Sequence, residues 1–348
     1  MIAIHKTNHN RLVRTPDYNY NFEYATGKFA RWGKTREEDP DFSPLGPEII
    51  DLEASSICHR QCPFCYKSNT SEGKNMSFET FKIIFDKLPK TVTQIAFGIG
   101  SLDANPDLWK IMQYCRDNFV VPNITINGQN IKTEEFSNLA KYCGAVSVSR
   151  YNDEECFNSV KELTDRGMKQ VNIHQLISRE HFHSCFTLIK KIKRDSRLKK
   201  LNAVVFLLLK PKGKRNKLHQ VDSIRMYRQL INFALKSKVS IGFDSCSAPS
   251  FLQTIREHKD YEKFKQCADP CESTCFSGYI NVEGRFFPCS FTEDQPEYKG
   301  LDLLQVRDFM KEVWNGEETL KFRNRLLTNK DCNGCRNCPE FDLRMKGV

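Results

Sequence analysis

From Ile49 to Ser245 the chain alternates short apolar runs with segments of helical period. The apolar runs lie at 49–54, 94–97, 123–127, 145–149, 170–177 and 203–209. Helical segments fall between them at 77–88, 106–118, 133–143, 154–166 and 179–197, with a further helix expected near 223–236 and a strand near 239–245. Few folds satisfy such a rhythm. Each helix carries the chain back to the end where the previous strand began, so the strands run parallel and need cover on both faces. The spacing predicts α/β architecture built from six βα units, an open or closed barrel with its chemistry at the C-terminal strand ends. Ser77 and Thr133 are the expected N-caps, each followed by Glu within the first turn.

The flanks differ in character. Residues 1–48 are polar, basic and aromatic without a helical period, and read either as a substrate-contacting arm or as an extension packed on the main body. The region after residue 245 is rich in cysteine and carries a hairpin signal, with the turn at Glu283-Gly284. The expected division is therefore an extension at 1–48, a barrel at 49–245 and a small cysteine-rich domain at 246–348. No run approaches the roughly 18 apolar residues that span a bilayer, and the N-terminus lacks an apolar signal core, so a cytoplasmic protein with no membrane partner is expected. In a reducing compartment, 15 cysteines argue for metal or thiol chemistry and against a disulfide framework.

Directly after the first strand stands Cys58-x3-Cys62-x2-Cys65. Three thiols within eight residues wrap one metal centre from a single loop, and thiolates select zinc or iron–sulfur clusters. A zinc knuckle needs a fourth ligand, which the adjacent His59 is badly placed to supply. On a four-iron cluster, three thiolates leave one iron open. With the aromatic Phe64 before its last Cys, this motif resembles that of the radical S-adenosylmethionine (SAM) superfamily. The resemblance implies a partial TIM-like (β/α)6 barrel, a catalytic [4Fe-4S] cluster on Cys58, Cys62 and Cys65, and SAM chelated to the open iron. It implies an enzyme that cleaves SAM reductively to a 5′-deoxyadenosyl radical, which abstracts a substrate hydrogen. Gly98, Gly100 and Ser101, where the family carries a Gly-rich segment, together with Asn127, Ser149, Arg150 and Phe64, match positions contacting SAM. Arg150 would pair with a carboxylate.

Near the C-terminus, Cys275-x8-Gly284-x4-Cys289 and Cys332-x2-Cys335-x2-Cys338 resemble the SPASM/Twitch domains that follow many radical SAM barrels. The chain departs from the full pattern after Cys335. The resemblance implies at least one auxiliary [4Fe-4S] cluster, on Cys275, Cys289 and a pair from Cys332, Cys335 and Cys338. Cys267 and Cys271 leave a second cluster open, and a structural zinc ribbon is the alternative on local spacing.

At the end of the last predicted strand, Asp244 and Cys246 are candidate catalytic groups, as a base and a hydrogen donor. The alternatives are a loop-capping carboxylate and a small buried hydrophobe. The SPASM resemblance favours modification of a peptide or protein, of maturase or epimerase type. A sugar or nucleotide substrate is the alternative, and a structural iron–sulfur or zinc protein binding nucleic acid is the reading of another class. The last is disfavoured, because the cysteines do not sit among basic and aromatic residues as a stacking groove requires. The net charge of +10 is local: residues 190–217 hold twelve Lys/Arg and one acid, Asp195. This stretch is expected either to dock an acidic partner such as a flavodoxin-like electron donor, through Lys212, Lys214 and Arg215, or to be a solvated face.

Overall fold

Seven strands taken in chain order make the body of the protein. The computed structural model describes residues 2–330 and 335–346. It opens with an antiparallel meander: β1 (Ala3–Lys6), β2 (Asn10–Arg14), β3 (Asn19–Glu23) and β4 (Phe29–Trp32). Then β5 (Ile49–Ser55), β6 (Gln94–Ile99), β7 (Val121–Ile126), β8 (Val146–Ser149), β9 (Val171–Ile177), β10 (Ala203–Leu208) and β11 (Ile241–Phe243) pair in parallel, each with the next. Helices α1 (Phe78–Lys87), α2 (Leu108–Asp117), α3 (Thr133–Tyr142), α4 (Asp153–Asp165), α5 (Phe182–Ile192) and α6 (Ile224–Ser237) connect them. β11 pairs with β10 alone among the described residues, so the barrel is open along that edge.

Side-chain alternation sets the two faces. Ile50, Leu52 and Ala54 of β5 enter one buried cluster with Phe81, Ile95 and Ile111 under the helices. The opposite face is polar. Register places Glu53 beside Gly98, Gly98 beside Thr125, Thr125 beside Ser147, and Ser149 beside His174. A lumen lined this way is built for a polar guest.

Ser77 caps α1, its hydroxyl accepting from the Thr80 amide at 3.1 Å. Thr133 instead is the first residue of α3. The cap position falls on Lys132, whose amide donates to Glu135 at 2.7 Å. The helix expected to run to residue 197 ends at Ile192. Asp195 there caps a separate 3-10 turn by accepting from the Arg197 amide.

The C-terminal region is joined to the barrel sheet. Past α7 (Ala248–Ile255) and α8 (Tyr261–Lys265), β12 (Ser277–Ile280) lies parallel against β5, followed by antiparallel β13 (Arg285–Phe287) and β14 (Leu301–Asp302). Gly284, at φ 80°, makes the predicted turn. A π-helical turn (Phe309–Trp314) and α9 (Glu317–Thr328) complete the chain. The strands of this region extend the barrel sheet, because β5 offered a free edge.

The meander packs beneath the barrel. Arg11 donates to the Lys90 and Phe119 carbonyls, and the Tyr20 hydroxyl to Thr91, all preceding β6 or β7. These contacts lie at the N-terminal strand ends, opposite the cysteine loop, as a packed extension requires. No described helix is long and apolar enough to cross a membrane.

Candidate active site

The Cys58–Cys65 loop leaves the C-terminal end of β5, over the lumen. Cys62 lies within electrostatic reach of Cys58 and Cys65, and burial pushes its thiol up, with Arg60 opposing. A bound metal reverses such a shift by taking the thiolate.

Gly100 lets the loop sit where it does, since a Cβ there would overlap the Ile57 carbonyl and the Cys58 side chain. Ser101 accepts from the His59 amide at 3.2 Å and donates its own amide to Ile57. Asn127 donates to the Gly100 carbonyl at 2.9 Å. Gly98 leaves the lumen face clear, with only backbone near its missing Cβ. Gly100, Ser101 and Asn127 thus converge on the loop, with Ser101 and Asn127 acting there through hydrogen bonds that shape it.

On the far side, Phe64 packs on Tyr151 and His181, with ring centroids 5.8 and 5.9 Å away. Burial and the neighbouring Cys62 thiol push the Tyr151 hydroxyl well above its usual range. Arg60 covers the Tyr151 ring and pairs with Glu155 at 2.7 Å. Arg150 does not join them. Its guanidinium turns outward to Asp153 at 2.6 Å, Gln175 at 2.7 Å and Ser184 at 2.8 Å. The carboxylate expected to meet it is supplied by its own chain, because residue 150 follows the lumen-facing Ser149 and points to the opposite face.

Tyr66 and Lys67, which sequence reasoning passed over, tie this loop to the C-terminal region. Tyr66 stacks on Phe291 at 4.3 Å. The Phe291 amide in turn donates to the Cys289 sulfur at 3.5 Å. Lys67 pairs with Glu293 and, at 3.3 Å, with Glu53, while the Tyr279 hydroxyl joins both acids. Immediate adjacency to Cys65 was the available signal.

The basic loop after β10 is the third member of this joint. Gly213, at φ 105°, has no room for a side chain against the Cys65 carbonyl. Lys212 donates to the carbonyls of Phe291 and Glu293, and Arg215 to those of Ser68 and Asn69. The docking reading of Lys212 and Arg215 is therefore corrected: desolvation and carbonyl partners have already claimed both. Elsewhere in the basic stretch Lys191, Arg197 and Lys200 pair with Asp153, Glu154 and Asp165.

Asp244 is held by Lys210 and Ser247, an ion-paired anchor and not a free base. His174 faces the same lumen, and burial lowers its pKa to about 4 against the pull of Asp244. Asp51, on the lumen face of β5, is raised to about 6 by its walled surroundings and by Glu272.

Among the C-terminal thiols, Cys289 lies within electrostatic reach of Cys271 and Cys338. Cys275 faces Arg336 and Arg323. Cys335 is buried in the main core, and Cys332 falls outside the described residues. Among the described residues no three His, Cys, Asp or Glu converge as ligands of a single ion.

Residues 267–339 match the model of the SPASM family, an iron–sulfur cluster-binding domain. The architecture matches Streptococcus suis SuiB bound to S-adenosylmethionine, with a TM-score of 0.62 at 14% identity over 84% of this chain and 71% of that one. The chain has the radical SAM–SPASM fold. SuiB bound to its precursor peptide SuiA gives a TM-score of 0.63 at 15% identity, over 84% and 70% of the two chains. The enzyme anSMEcpe with bound AdoMet and a Cp18Cys peptide gives 0.55 at 16% identity, over 79% and 83%. No curated protein sequence matches the chain. In the radical SAM–SPASM frame, the Cys58 loop occupies the C-terminal end of the barrel and β12 to β14 extend its sheet beyond β5. The site fits the implied groups: three thiols on one loop, and Gly98 and Gly100 where side chains would fill the cradle.

Proposed function

We propose that this protein is a radical SAM enzyme that modifies a peptide. The Cys58–Cys62–Cys65 loop, held over a polar lumen by Gly100, Ser101, Asn127 and Tyr151, carries this reading. Cys58, Cys62 and Cys65 would hold a four-iron cluster, which with SAM bound would supply one-electron chemistry leading to hydrogen abstraction. The chain's own part is to aim and enclose. Gly98 keeps the lumen face free beneath the loop, and Ser149 and Asn127 present polar groups at the strand ends. The Lys212–Arg215 strap and the Tyr66–Phe291 stack pack against the loop's outer side.

A peptide substrate is supported by the open edge of the barrel. Beside β11 lies a cavity of about 490 Å³, walled by Ile241, Phe243, Phe251 and Phe264 and by the acids Asp269 and Glu272. That SuiB binds its precursor peptide and anSMEcpe a Cys-containing peptide points the same way. For the electron, we place an acidic donor at the exposed Lys214 and Lys217, the part of the basic loop left facing solvent beside the cysteine loop.

The test is anaerobic reconstitution with iron and sulfide, followed by SAM and a strong reductant. Methionine and 5′-deoxyadenosine are expected in equal amounts. Iron-loaded protein that leaves SAM intact overturns the reading. Deuterium moving from a labelled peptide into 5′-deoxyadenosine establishes the substrate class, and transfer only from labelled sugars or nucleotides refutes it.

A further inference from the structure

We infer that the free edge of the N-terminal meander is a docking seat for an extended acidic segment of a separate protein, which adds to β1 as a fifth strand. The inference goes beyond peptide modification and does not depend on it.

The first observation is an unpaired edge over an uncovered face. Among the described residues β1 pairs with β2 alone. The Thr7 amide donates to the Asn10 carbonyl at 2.9 Å, which sets the phase of the ladder. In that phase Ala3 and His5 bond towards β2, so Ile4 and Lys6 turn their amides and carbonyls outward. Such an edge is a template for another strand. Ile4 stands opposite Val13 and Lys6 opposite Arg11, so both share the face that β2 presents to the barrel. Val13 and Arg11 are buried there, whereas Ile4 is 37% exposed and Lys6 stands in solvent.

The second observation is Phe119, which meets this edge from the barrel, its ring centroid 5.8 Å from the Lys6 ammonium. Phe119 follows the C-cap of α2. Its amide donates to the Arg116 carbonyl and the Val120 amide to that of Cys115. Its φ is 60°, at a position that glycine normally fills. A phenylalanine held there under strain and still 42% exposed does little for packing. Ile4 and Phe119 thus leave apolar surface on the same side of the open ladder.

The third is charge, which selects the occupant. Residues 2–16 hold Lys6, Arg11, Arg14, His5 and His9 and no acid. Burial and the nearby Arg11 and Lys90 hold the Lys6 ammonium below its usual range. Asp86 of α1 and Asp117 of α2 are engaged elsewhere, with Lys82 at 2.8 Å and Gln113 at 2.6 Å. A second copy would set one acid-free basic edge against another, so the strand that fits carries Asp or Glu among apolar residues. The peptide slot beside β11 is not its source. Arg31 of β4 pairs with Glu272 of that slot at 3.4 Å, and β1 is the opposite edge of the meander.

The test uses full-length protein after anaerobic reconstitution and a fluorescent, capped peptide of alternating glutamate and valine, with binding read by anisotropy. Saturable binding is expected, weakening as salt rises. Lys6→Glu combined with Lys90→Glu is expected to weaken it about tenfold. Ile4→Pro removes an outward amide, leaves the bonds to β2 intact and is expected to abolish binding. Phe119→Gly relieves the left-handed strain, so binding is expected to fall about fivefold while the melting temperature holds or rises. A ring serving packing alone would instead lower the melting temperature and leave binding unchanged. No saturable binding, equal binding of a lysine–valine peptide or of single-stranded DNA, or binding indifferent to Ile4→Pro overturns the inference. So does a concentration-dependent dimer, seen by light scattering, that Ile4→Pro dissolves. No readout involves SAM, so failure here leaves the enzymatic reading standing, and the reverse holds too.

Discussion

The two cysteine regions are built on opposite principles. Cys58, Cys62 and Cys65 share one short loop, so their proximity is almost guaranteed by covalent connection, and the fold adds only orientation. The thiols of the C-terminal region come instead from the approach to β12 (Cys267, Cys271, Cys275), the exit of β13 (Cys289) and the C-terminal tail (Cys335, Cys338). Long loops must close before those thiols meet, and the chain entropy of closure is offset by the sheet that β12 and β5 make together. A local site is legible as a spacing, whereas a dispersed one must be assembled first.

The sharpest way to break this comparison is to delete the local site. Replacing Cys58, Cys62 and Cys65 with Ala is expected to abolish SAM cleavage while about half the iron remains, measured by iron assay and product chromatography. If all iron disappears, the dispersed site depends on the local one and the contrast fails.

Next in size is Gly100→Ala. Its Cβ meets the Ile57 carbonyl, which is backbone and gives little. Cleavage is expected to fall at least tenfold with the auxiliary iron retained, because the clash displaces only the local loop.

The joint between the regions gives a smaller effect. Phe291→Ala removes the ring stacked on Tyr66 and is expected to cost about 2 kcal/mol in denaturant unfolding of the apoprotein, below a fully buried Phe because Phe291 is half-buried. Slower cluster loading at both sites should accompany it, and loss at one site alone would show that the joint does not couple them.

The smallest concerns pH. An unfolded His takes up a proton near pH 6.5, but His174 in the lumen does so only near 4. The unfolded state therefore binds more protons between these values, and stability falls as pH drops from about 6.5 to 4. His174→Gln is expected to flatten that part of the melting-temperature profile.

Much of this was readable in advance. The strand–helix rhythm needs only side-chain period, and the Cys58 motif needs only spacing. Cys115, Cys143, Cys156 and Cys185 were read as ordinary thiols, and all are buried against the barrel helices. The misreadings share one cause. Arg150 was assigned by its place after a strand, yet one residue's step along a strand reverses the face. Lys212 and Arg215 were assigned by their charge, yet a charge in sequence does not reveal that a carbonyl distant in the chain will take it.

By itself, then, the sequence determined the parallel barrel, the three-thiol loop at its first strand end and the presence of a second thiol-rich region. These follow from periodicity and short-range connection, which survive without any knowledge of distant contacts. Tertiary structure decided the rest: that β12 would extend the barrel sheet, that a basic strap would lock the cysteine loop, and which distant thiols would face one another. Such choices depend on which edges and carbonyls remain unsatisfied once the barrel has formed, and no local pattern records that.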